Sequence, residues 1–156
     1  MSNSPVPPSV TSTNIMVPIQ SCGTPAAQPT LAWEGMIEHH PCAVAVVDDD
    51  PEVLESFRFV LELAGFVVHT YGSAASFLAS SEPAPHCLIL DHHMPAMTGL
   101  ELARALRARG SDVPVVLITA APSPAIVAKA SELGIVRVLE KPPSADELIR
   151  YVGSCC

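Results

Sequence analysis

The sequence predicts an α/β fold in which five parallel strands form one doubly wound sheet with helices on both faces. Three observations support it. From residue 42 onward, short aliphatic runs alternate with amphipathic segments. Three of these runs contain no charged residue, as expected of parallel strands that are covered on both faces: Val44–Val47, Cys87–Leu90 and Val115–Ile118. Apolar residues make up 49% of the 156 residues, which is enough for a full core.

The first strand leads into a helix over residues 51–64. Asp50 is its predicted N-cap, Pro51 takes the first helical position, and Gly65 ends it. The apolar residues of this helix recur at helical spacing and predict one buried stripe, formed by Val53, Phe57, Val60, Leu61 and Ala64.

The remaining elements alternate in the same way. They are a strand over 66–71, a helix over 73–80, a strand over 87–90, a helix over 99–109, a strand over 113–119, a helix over 125–133, a strand over 136–139 and a helix over 144–152. Gly110 and Gly134 end the third and fourth helices, and Ser144–Glu147 is a capping box for the last helix.

Residues 1–41 differ in composition from the rest. No Asp, Glu, Lys or Arg precedes Glu34, and the stretch is rich in Ser, Thr, Ala and Pro. Such a segment cannot continue a helix or strand and has little apolar surface to bury. We therefore predict a disordered extension over 1–41 and one folded domain over 42–156. The alternative is a docking tail in which Leu31–Trp33 makes the contact.

Charge and cysteine content limit the functional class. The net charge is −8 and the eight basic residues are scattered, which argues against a nucleic-acid surface. Apolar runs are too short for a membrane helix, and the N-terminus lacks a secretory signal. The five cysteines show no zinc spacing, so we expect Cys42 and Cys87 to be buried free thiols. An odd count without a disulfide framework indicates a reducing, cytoplasmic location.

Polar side chains stand at the ends of four predicted strands. Asp48 and Asp49 follow the first strand, Asp91 the third, Thr119 the fourth and Lys141 the fifth. The carboxyl ends of parallel strands meet at one edge of the sheet, where doubly wound folds bind their ligands. Taken singly, these residues have simpler interpretations as a helix cap, a turn residue and a surface lysine. Together they suit a divalent cation and a phosphoryl group.

The motifs around these positions resemble those of bacterial response-regulator receiver domains. Val46–Pro51 is similar to the first strand and acidic pair of the family, and Leu88–Leu102 to its phosphoacceptor segment. Ile118–Ala120 and Leu139–Pro142 are similar to its other two signatures, the last in the form found in FixJ-type receivers. The resemblance covers about residues 42–152. It implies a flavodoxin-like, CheY-like (βα)5 fold with strand order 2-1-3-4-5.

The resemblance implies how the phosphoryl group is handled. Asp91 is the expected phosphoacceptor, taking the group from a phosphohistidine on a sensor histidine kinase or phosphotransfer protein. Thr119 is the expected switch residue, and Lys141 is expected to pair with the phosphoryl oxygens. The family has a cis peptide before the proline that matches Pro142. A protein of this kind accepts a phosphoryl group and is not a conventional enzyme.

The resemblance also implies a Mg²⁺ site. Asp49 and Asp91 are expected to bind the cation directly, together with the backbone carbonyl of His93, whereas Asp48 acts through water. The adjacent His92 and His93 suggest a transition metal instead, but no third ligand shows a recognisable spacing. We expect His92 to face solvent beside Asp91.

Two features bear on the output. The family usually has a switch aromatic three residues before the lysine, where this chain has Val138. Only a few residues follow the last predicted helix, too few for an output domain. We expect a single-domain regulator that acts through protein contacts with an unknown downstream partner, through phosphorylation-linked dimerisation, or as a phosphate sink. The alternative is the receiver part of a longer DNA-binding transcriptional regulator.

Two other classes of function remain as alternatives. Val138 favours a pseudo-receiver, an interaction module whose site is not phosphorylated. An aspartyl-phosphate hydrolase on a similar fold would place its nucleophile on the first strand with a second Asp two residues later. Here the candidate nucleophile, Asp91, ends the third predicted strand, and the residue two positions later is His93.

Overall fold

Five strands alternate with five helices in the computed structural model, which describes residues 41–156. The strands are β1 (Ala43–Val47), β2 (Val67–Tyr71), β3 (Cys87–Asp91), β4 (Val115–Thr119) and β5 (Arg137–Glu140). The helices are α1 (Pro51–Leu63), α2 (Ala74–Leu78), α3 (Gly99–Ala108), α4 (Pro124–Glu132) and α5 (Ala145–Gly153). All neighbouring strands are parallel, in the order β2-β1-β3-β4-β5, so the predicted fold class is confirmed.

The two interpretations of residues 1–41, a disordered extension and a docking tail, fall outside the described residues except at Pro41 and stay predictions. Within residues 41–156, none of the helices has the length and the apolar character needed to cross a membrane.

Two helices, α1 and α5, begin at the caps that the sequence predicts. The side chain of Asp50 accepts a hydrogen bond from the first turn of α1. Ser144 and Glu147 form the predicted capping box at the start of α5. Thr98 and Glu101 form another at the start of α3, which the sequence prediction did not use. Each box satisfies backbone N–H groups that have no partner within the helix.

The buried stripe of α1 differs from the prediction. Leu61 is fully buried and Phe57 is half-buried, as expected, but Ala64 is exposed. Leu54, which was not predicted, packs against the same core cluster as Phe57 and Leu61. The prediction was wrong at Ala64 because α1 ends at Leu63, so that Ala64 is already the C-cap.

Each face of the sheet is covered by its own core. On one face, α1 and α5 contribute Leu61, Leu148 and Val152 to a cluster with alternate residues of β1, β3 and β4. On the other face, α2, α3 and α4 cover the remaining residues of those strands. The central strands are therefore buried on both sides, which is why their sequences are aliphatic throughout.

The cysteines contradict the prediction for Cys42. Its sulfur is bonded to that of Cys156, across a sequence separation of 114 residues and with Cα atoms 5.9 Å apart. Cys87 is a buried free thiol, as predicted, and Cys155 is free and half-buried. The spacing of cysteines along the chain does not reveal this pair, because only the fold brings the residue before β1 next to the end of α5.

Candidate functional site

The pairing of β1 with β3 brings the acidic residues together. Val47 lies opposite Leu90, so Asp48 and Asp91 both follow at the carboxyl edge of the sheet. Carboxylate oxygens of Asp48, Asp49 and Asp91 all lie within 4.8 Å of one another. Asp48 and Asp91 are buried and Asp49 is exposed, so the cluster has two fixed carboxylates and one that faces solvent.

The pairing of β4 with β5 brings Lys141 to the same edge. Its backbone N–H donates to the carbonyl of Thr119 at 2.9 Å. The Lys141 ammonium lies 2.8 Å from Asp48 Oδ2 and 2.9 Å from Asp91 Oδ1, and its side chain is 25% exposed. The peptide between Lys141 and Pro142 is cis, as the resemblance implied. One cation is thus shared by two buried carboxylates.

The charges in this cluster do not balance. Three carboxylates face one ammonium, which leaves an excess of two negative charges when all are ionised. Burial raises the pKa of Asp48 and outweighs the hydrogen bonds that Asp48 accepts from Lys141 and from the backbone of Asp50. Burial by itself would lower the pKa of Lys141, but the hydrogen bonds to Asp48 and Asp91 outweigh it and raise that pKa. The lysine therefore stays charged while the acidic cluster retains an attraction for cations.

The residues present fit a hard divalent cation. Mg²⁺ prefers carboxylate, carbonyl and water oxygens. The three carboxylates supply such oxygens close together, and their excess charge favours a dication. Asp49, which no basic side chain contacts within residues 41–156, offers an oxygen that is accessible to solvent. The ligand role of the His93 carbonyl stays a prediction.

Thr119 is buried at the same edge. Its hydroxyl accepts a hydrogen bond from the backbone N–H of Ala121 at 3.3 Å and lies 3.4 Å from His93 Nδ1. Because Asp91 lies opposite Ile118 in the sheet, Thr119 stands one position beyond the predicted phosphoacceptor. Within residues 41–156 these two long contacts are the only hydrogen-bond contacts of the hydroxyl, so it can rotate toward a new acceptor.

The surroundings of His92 differ from the expectation that this residue faces solvent. The ring of His92 is partly buried, and its Nδ1 has no hydrogen-bond partner among the described residues, whereas His93 is exposed. Burial lowers the pKa of His92, and the neighbouring His93 lowers it further. The rings lie 4.7 Å apart, edge to face. Within residues 41–156, the only cluster of three metal-ligating side chains is the acidic one, so the transition-metal alternative gains no third ligand.

Val138 fills the position of the switch aromatic. It lies opposite Leu117 in the sheet and packs, half-buried, against the core cluster beneath α3 and α4.

Gly99 is a further residue of the site, and the sequence patterns did not assign it a role. A Cβ on Gly99 would stand 2.5 Å from the backbone oxygen of Asp91 and 2.8 Å from Leu117 Cδ1. The only signal in the sequence was the position of this glycine at the start of a helix.

Comparison with known proteins identifies the family. A family model for the response regulator receiver domain matches residues 44–153, well over half of the chain. The chain belongs to the response regulator receiver domain family. Receiver domains interact with histidine kinases or phosphotransfer proteins, typically use Mg²⁺, and are generally not conventional enzymes.

The relatives include several transcriptional regulators. The chain is 40% identical over 100 residues to the transcriptional regulatory protein FixJ of Azorhizobium caulinodans, covering 64% of this chain and 47% of the relative. It is 39% identical over 110 residues to the transcriptional regulatory protein PrrA of Mycobacterium tuberculosis, covering 70% and 47%. The chain thus spans about half the length of the curated relatives it matches.

Solved receiver structures have the same fold. The crystal structure of FixJ-N matches with a TM-score of 0.68 and 31% identity, covering 74% of this chain and 94% of that one. The chemotaxis protein CheY4 of Vibrio cholerae matches with a TM-score of 0.70 and 25% identity, covering 74% and 99%. These likenesses agree with the strand order described above.

Proposed function

We propose that Asp91 accepts a phosphoryl group from a phosphohistidine and that this transfer controls the contacts of the receiver. The observation that carries the proposal is the pairing of one ammonium, Lys141, with two buried carboxylates, Asp48 and Asp91, at 2.8 and 2.9 Å. A buried carboxylate held next to a fixed cation is suited to attack an anionic phosphoryl group, because the cation offsets the charge that accumulates on transfer.

The transfer forms one bond to phosphorus and breaks another. A carboxylate oxygen of Asp91 forms a bond to phosphorus, the bond between phosphorus and the histidine nitrogen breaks, and the leaving imidazole takes up a proton. The ammonium of Lys141, now 2.9 Å from Asp91 Oδ1, pairs with the phosphoryl oxygens of the product. The result is an acyl phosphate on Asp91 beside a lysine that no longer neutralises that carboxylate.

The acidic cluster would hold Mg²⁺ during this step. Asp49 and Asp91 are the proposed direct ligands, together with the backbone carbonyl of His93. Asp48 is proposed to act on the cation through a water molecule. When bound, Mg²⁺ neutralises charge on the phosphoryl oxygens. The hydrogen bond from Lys141 favours the ionised form of Asp48 and partly offsets the rise in its pKa that burial causes.

Thr119 connects the site to the surface. Its hydroxyl would break its contacts with Ala121 and His93 and donate a hydrogen bond to the phosphoryl group. This movement would pull the loop between β4 and α4 toward the site. We propose that the output is a phosphorylation-dependent contact with another protein or with a second copy of the receiver, or the removal of phosphoryl groups from a kinase.

The receiver is proposed to act in the cytoplasm with a sensor histidine kinase or a phosphotransfer protein. Its basic residues are all scattered between positions 58 and 150, with no basic stripe, so we propose that residues 41–156 do not bind nucleic acid directly. Since the matched relatives are transcriptional regulators of about twice the matched length, a DNA-binding part in the whole protein is the alternative arrangement.

The experiment is phosphorylation by a small donor. The full chain, Asp91→Asn and the matched control Asp146→Asn, an exposed aspartate on α5, are incubated with acetyl phosphate, with Mg²⁺ or with a chelator. We expect wild type and Asp146→Asn to gain one phosphoryl group by intact mass only with Mg²⁺, and Asp91→Asn to gain none. Equal labelling of Asp91→Asn, or no labelling of wild type, would exclude Asp91 as the acceptor.

Val138 favours a second candidate, an interaction module whose contacts do not respond to phosphorylation. The side chain is anchored against the core and is too small to exchange between buried and exposed positions. This candidate predicts equal binding of a partner, or equal self-association, by the labelled and unlabelled receiver. A phosphorylation-dependent shift in sedimentation or in partner affinity excludes this candidate. Labelling of Asp91 alone does not distinguish the two candidates, because both allow it.

A further inference from the structure

Four cysteines meet at the edge of the sheet opposite the acidic site. Cys42 precedes β1, Cys87 begins β3, and Cys155 and Cys156 follow α5. Cys42 and Cys156 are bonded, and the thiols of Cys87 and Cys155 are close enough to interact. Three separate elements thus deliver four sulfurs to one corner of the domain.

The packing of α5 explains why they meet. Val152 on the last turn of α5 is fully buried against the cluster that contains Val44 and Cys87, which lie opposite each other on β1 and β3. This burial brings the next residues of the chain over the amino ends of those strands. The core therefore places the chain before β1 and the chain after α5, which carry Cys42 and Cys156, next to each other.

The four cysteines differ in access. Cys156 is exposed and Cys42 is half-buried, so a small reagent can reach this pair. Cys87 is fully buried, and burial together with the neighbouring Cys155 thiol raises its pKa, which suppresses the reactive thiolate. Cys155 donates its thiol hydrogen to the carbonyl of Tyr151 at 3.3 Å. Only one of the possible pairs thus combines access with a partner within bonding distance.

The surroundings also accommodate the reduced pair. The sulfur of Cys156 lies 3.3 Å from the carbonyl of Val152, an acceptor to which a free Cys156 thiol can donate. Val152 is fully buried beneath the pair and belongs to the core independently of the bond, so opening the bond leaves this part of the core covered. Both redox forms are thus compatible with the same fold.

We propose that Cys42 and Cys156 form a reversible redox site, which closes under a peroxide or a small-molecule disulfide and opens under a dithiol or glutathione. With hydrogen peroxide, one thiol is oxidised to a sulfenic acid and releases one water. The other thiol attacks the sulfenic acid sulfur and releases a second water, so two thiols and one hydrogen peroxide become one disulfide and two waters. Disulfides in a reducing cytosol are usually transient or regulatory. The regulatory role of the bond rests on the proposed cytoplasmic location, whereas its chemistry is independent of Asp91.

The bond would change the domain in a measurable way. It closes a loop across 114 residues, and cross-links that close long loops strongly restrict the unfolded chain. The bond also fixes the last turn of α5. The first residue of this helix, Ala145, follows the segment Lys141–Pro142–Pro143–Ser144. Oxidation therefore stabilises the receiver and restrains the helix that begins beside the acidic site.

The test equilibrates the full chain in glutathione buffers of graded ratio, followed by alkylation, peptide mapping and thermal melts. We expect a Cys42–Cys156 peptide that appears across the graded range, with a loss of two hydrogens and a melting temperature at least about 5 °C higher in the bonded form. Cys156→Ser abolishes the linked peptide and the shift. The matched control Cys155→Ser, one residue away and outside the bond, retains both.

Three outcomes would overturn the proposal. The bond could persist in the most reducing buffer, which would make it a permanent cross-link. The mapped peptide could join Cys155 in place of Cys156. The reduced and oxidised chains could melt at the same temperature. Because Cys156 is exposed, its serine variant is expected to fold even if a change at Cys42 prevents folding. Failure of phosphorylation at Asp91 leaves each of these readouts unchanged.

Discussion

Gly99 lies directly against the backbone carbonyl of Asp91, so closely that a methyl group on Gly99 would stand 2.5 Å from that oxygen. The backbone N–H of Gly99 also donates to the carbonyl of His92 at 3.2 Å. The first residue of α3 therefore packs against the backbone of the proposed phosphoacceptor and is hydrogen-bonded to the residue that follows it.

Replacing this glycine tests that contact. Gly99→Ala is expected to lower the free energy of unfolding by about 2 kcal/mol, because the Asp91 carbonyl belongs to the backbone and cannot yield without moving β3. It is also expected to slow labelling of Asp91. Gly153→Ala is the control, since a Cβ there meets nothing within 4 Å and alanine favours a helix. Urea denaturation that finds both variants equally stable would contradict the contact.

Removal of the shared ammonium should change the response to Mg²⁺. Lys141→Met leaves Asp48 and Asp91 without their counter-charge, so we expect the free energy of unfolding in a chelator to fall by roughly 2 kcal/mol. Added Mg²⁺ should raise the melting temperature of this variant more than that of wild type, because no ammonium competes for the carboxylates. Lys129→Met, at an exposed lysine on α4, should respond as wild type does. An equal rise in melting temperature with Mg²⁺ in all three proteins would show that the ammonium of Lys141 does not compete with Mg²⁺ for the carboxylates.

Arg107 fastens α3 to two other segments. Its guanidinium donates to the carbonyls of Leu133 at 2.9 Å, Ser111 at 2.8 Å and Val113 at 3.0 Å. Lysine cannot reproduce this fork, so Arg107→Lys is expected to lower the free energy of unfolding by about 1–3 kcal/mol. Arg104→Lys, at an exposed position on the same helix, should be nearly neutral. Denaturation curves that coincide for the two variants would show that the three bonds add nothing.

The capping box of α3 should make stability depend on pH. Glu101 accepts a hydrogen bond from the backbone N–H of Thr98 at 2.8 Å, and its hydrogen bonds with Thr98 hold the pKa of Glu101 below its ordinary value of 4.5. The stabilisation is therefore complete above that value and is lost as the pH falls through the depressed pKa. Glu101→Ala should be less stable than wild type at neutral pH, with the difference shrinking below pH 4.5.

Chemical denaturation across about pH 7 to 3 measures this effect. Glu55→Ala is the control, because Glu55 is exposed on α1 and takes no part in a capping box. A difference between Glu101→Ala and wild type that stays constant or widens on acidification would show that the carboxylate of Glu101 does not stabilise the start of α3.

The sheet and the grouping of its polar residues could be predicted because both follow from local patterns. Aliphatic runs mark the central strands, and residues at the carboxyl ends of parallel strands must meet at one edge. Asp48, Asp91 and Lys141 therefore lie together where the sequence placed them. The roles of these residues in phosphoryl transfer stay predictions.

Contacts between distant segments could not be predicted in this way. The bond from Cys42 to Cys156 depends on where α5 ends over the sheet. The inclusion of Leu54 in the core depends on how α1 rotates against it. The partial burial of His92 depends on the loop that follows β3. Each is a product of packing, which residue spacing along the chain does not specify.

The bond between Cys42 and Cys156 also determines how the domain bears a pulling force. Cys42 precedes β1 and Cys156 follows α5, so the pair encloses the whole sheet. In the oxidised chain, tension applied at these two residues passes through the sulfur atoms and leaves the strands unloaded. In the reduced chain, the same tension reaches the sheet, and unravelling it releases roughly 400 Å of contour length. Oxidation would thus convert an extensible domain into a nearly inextensible one.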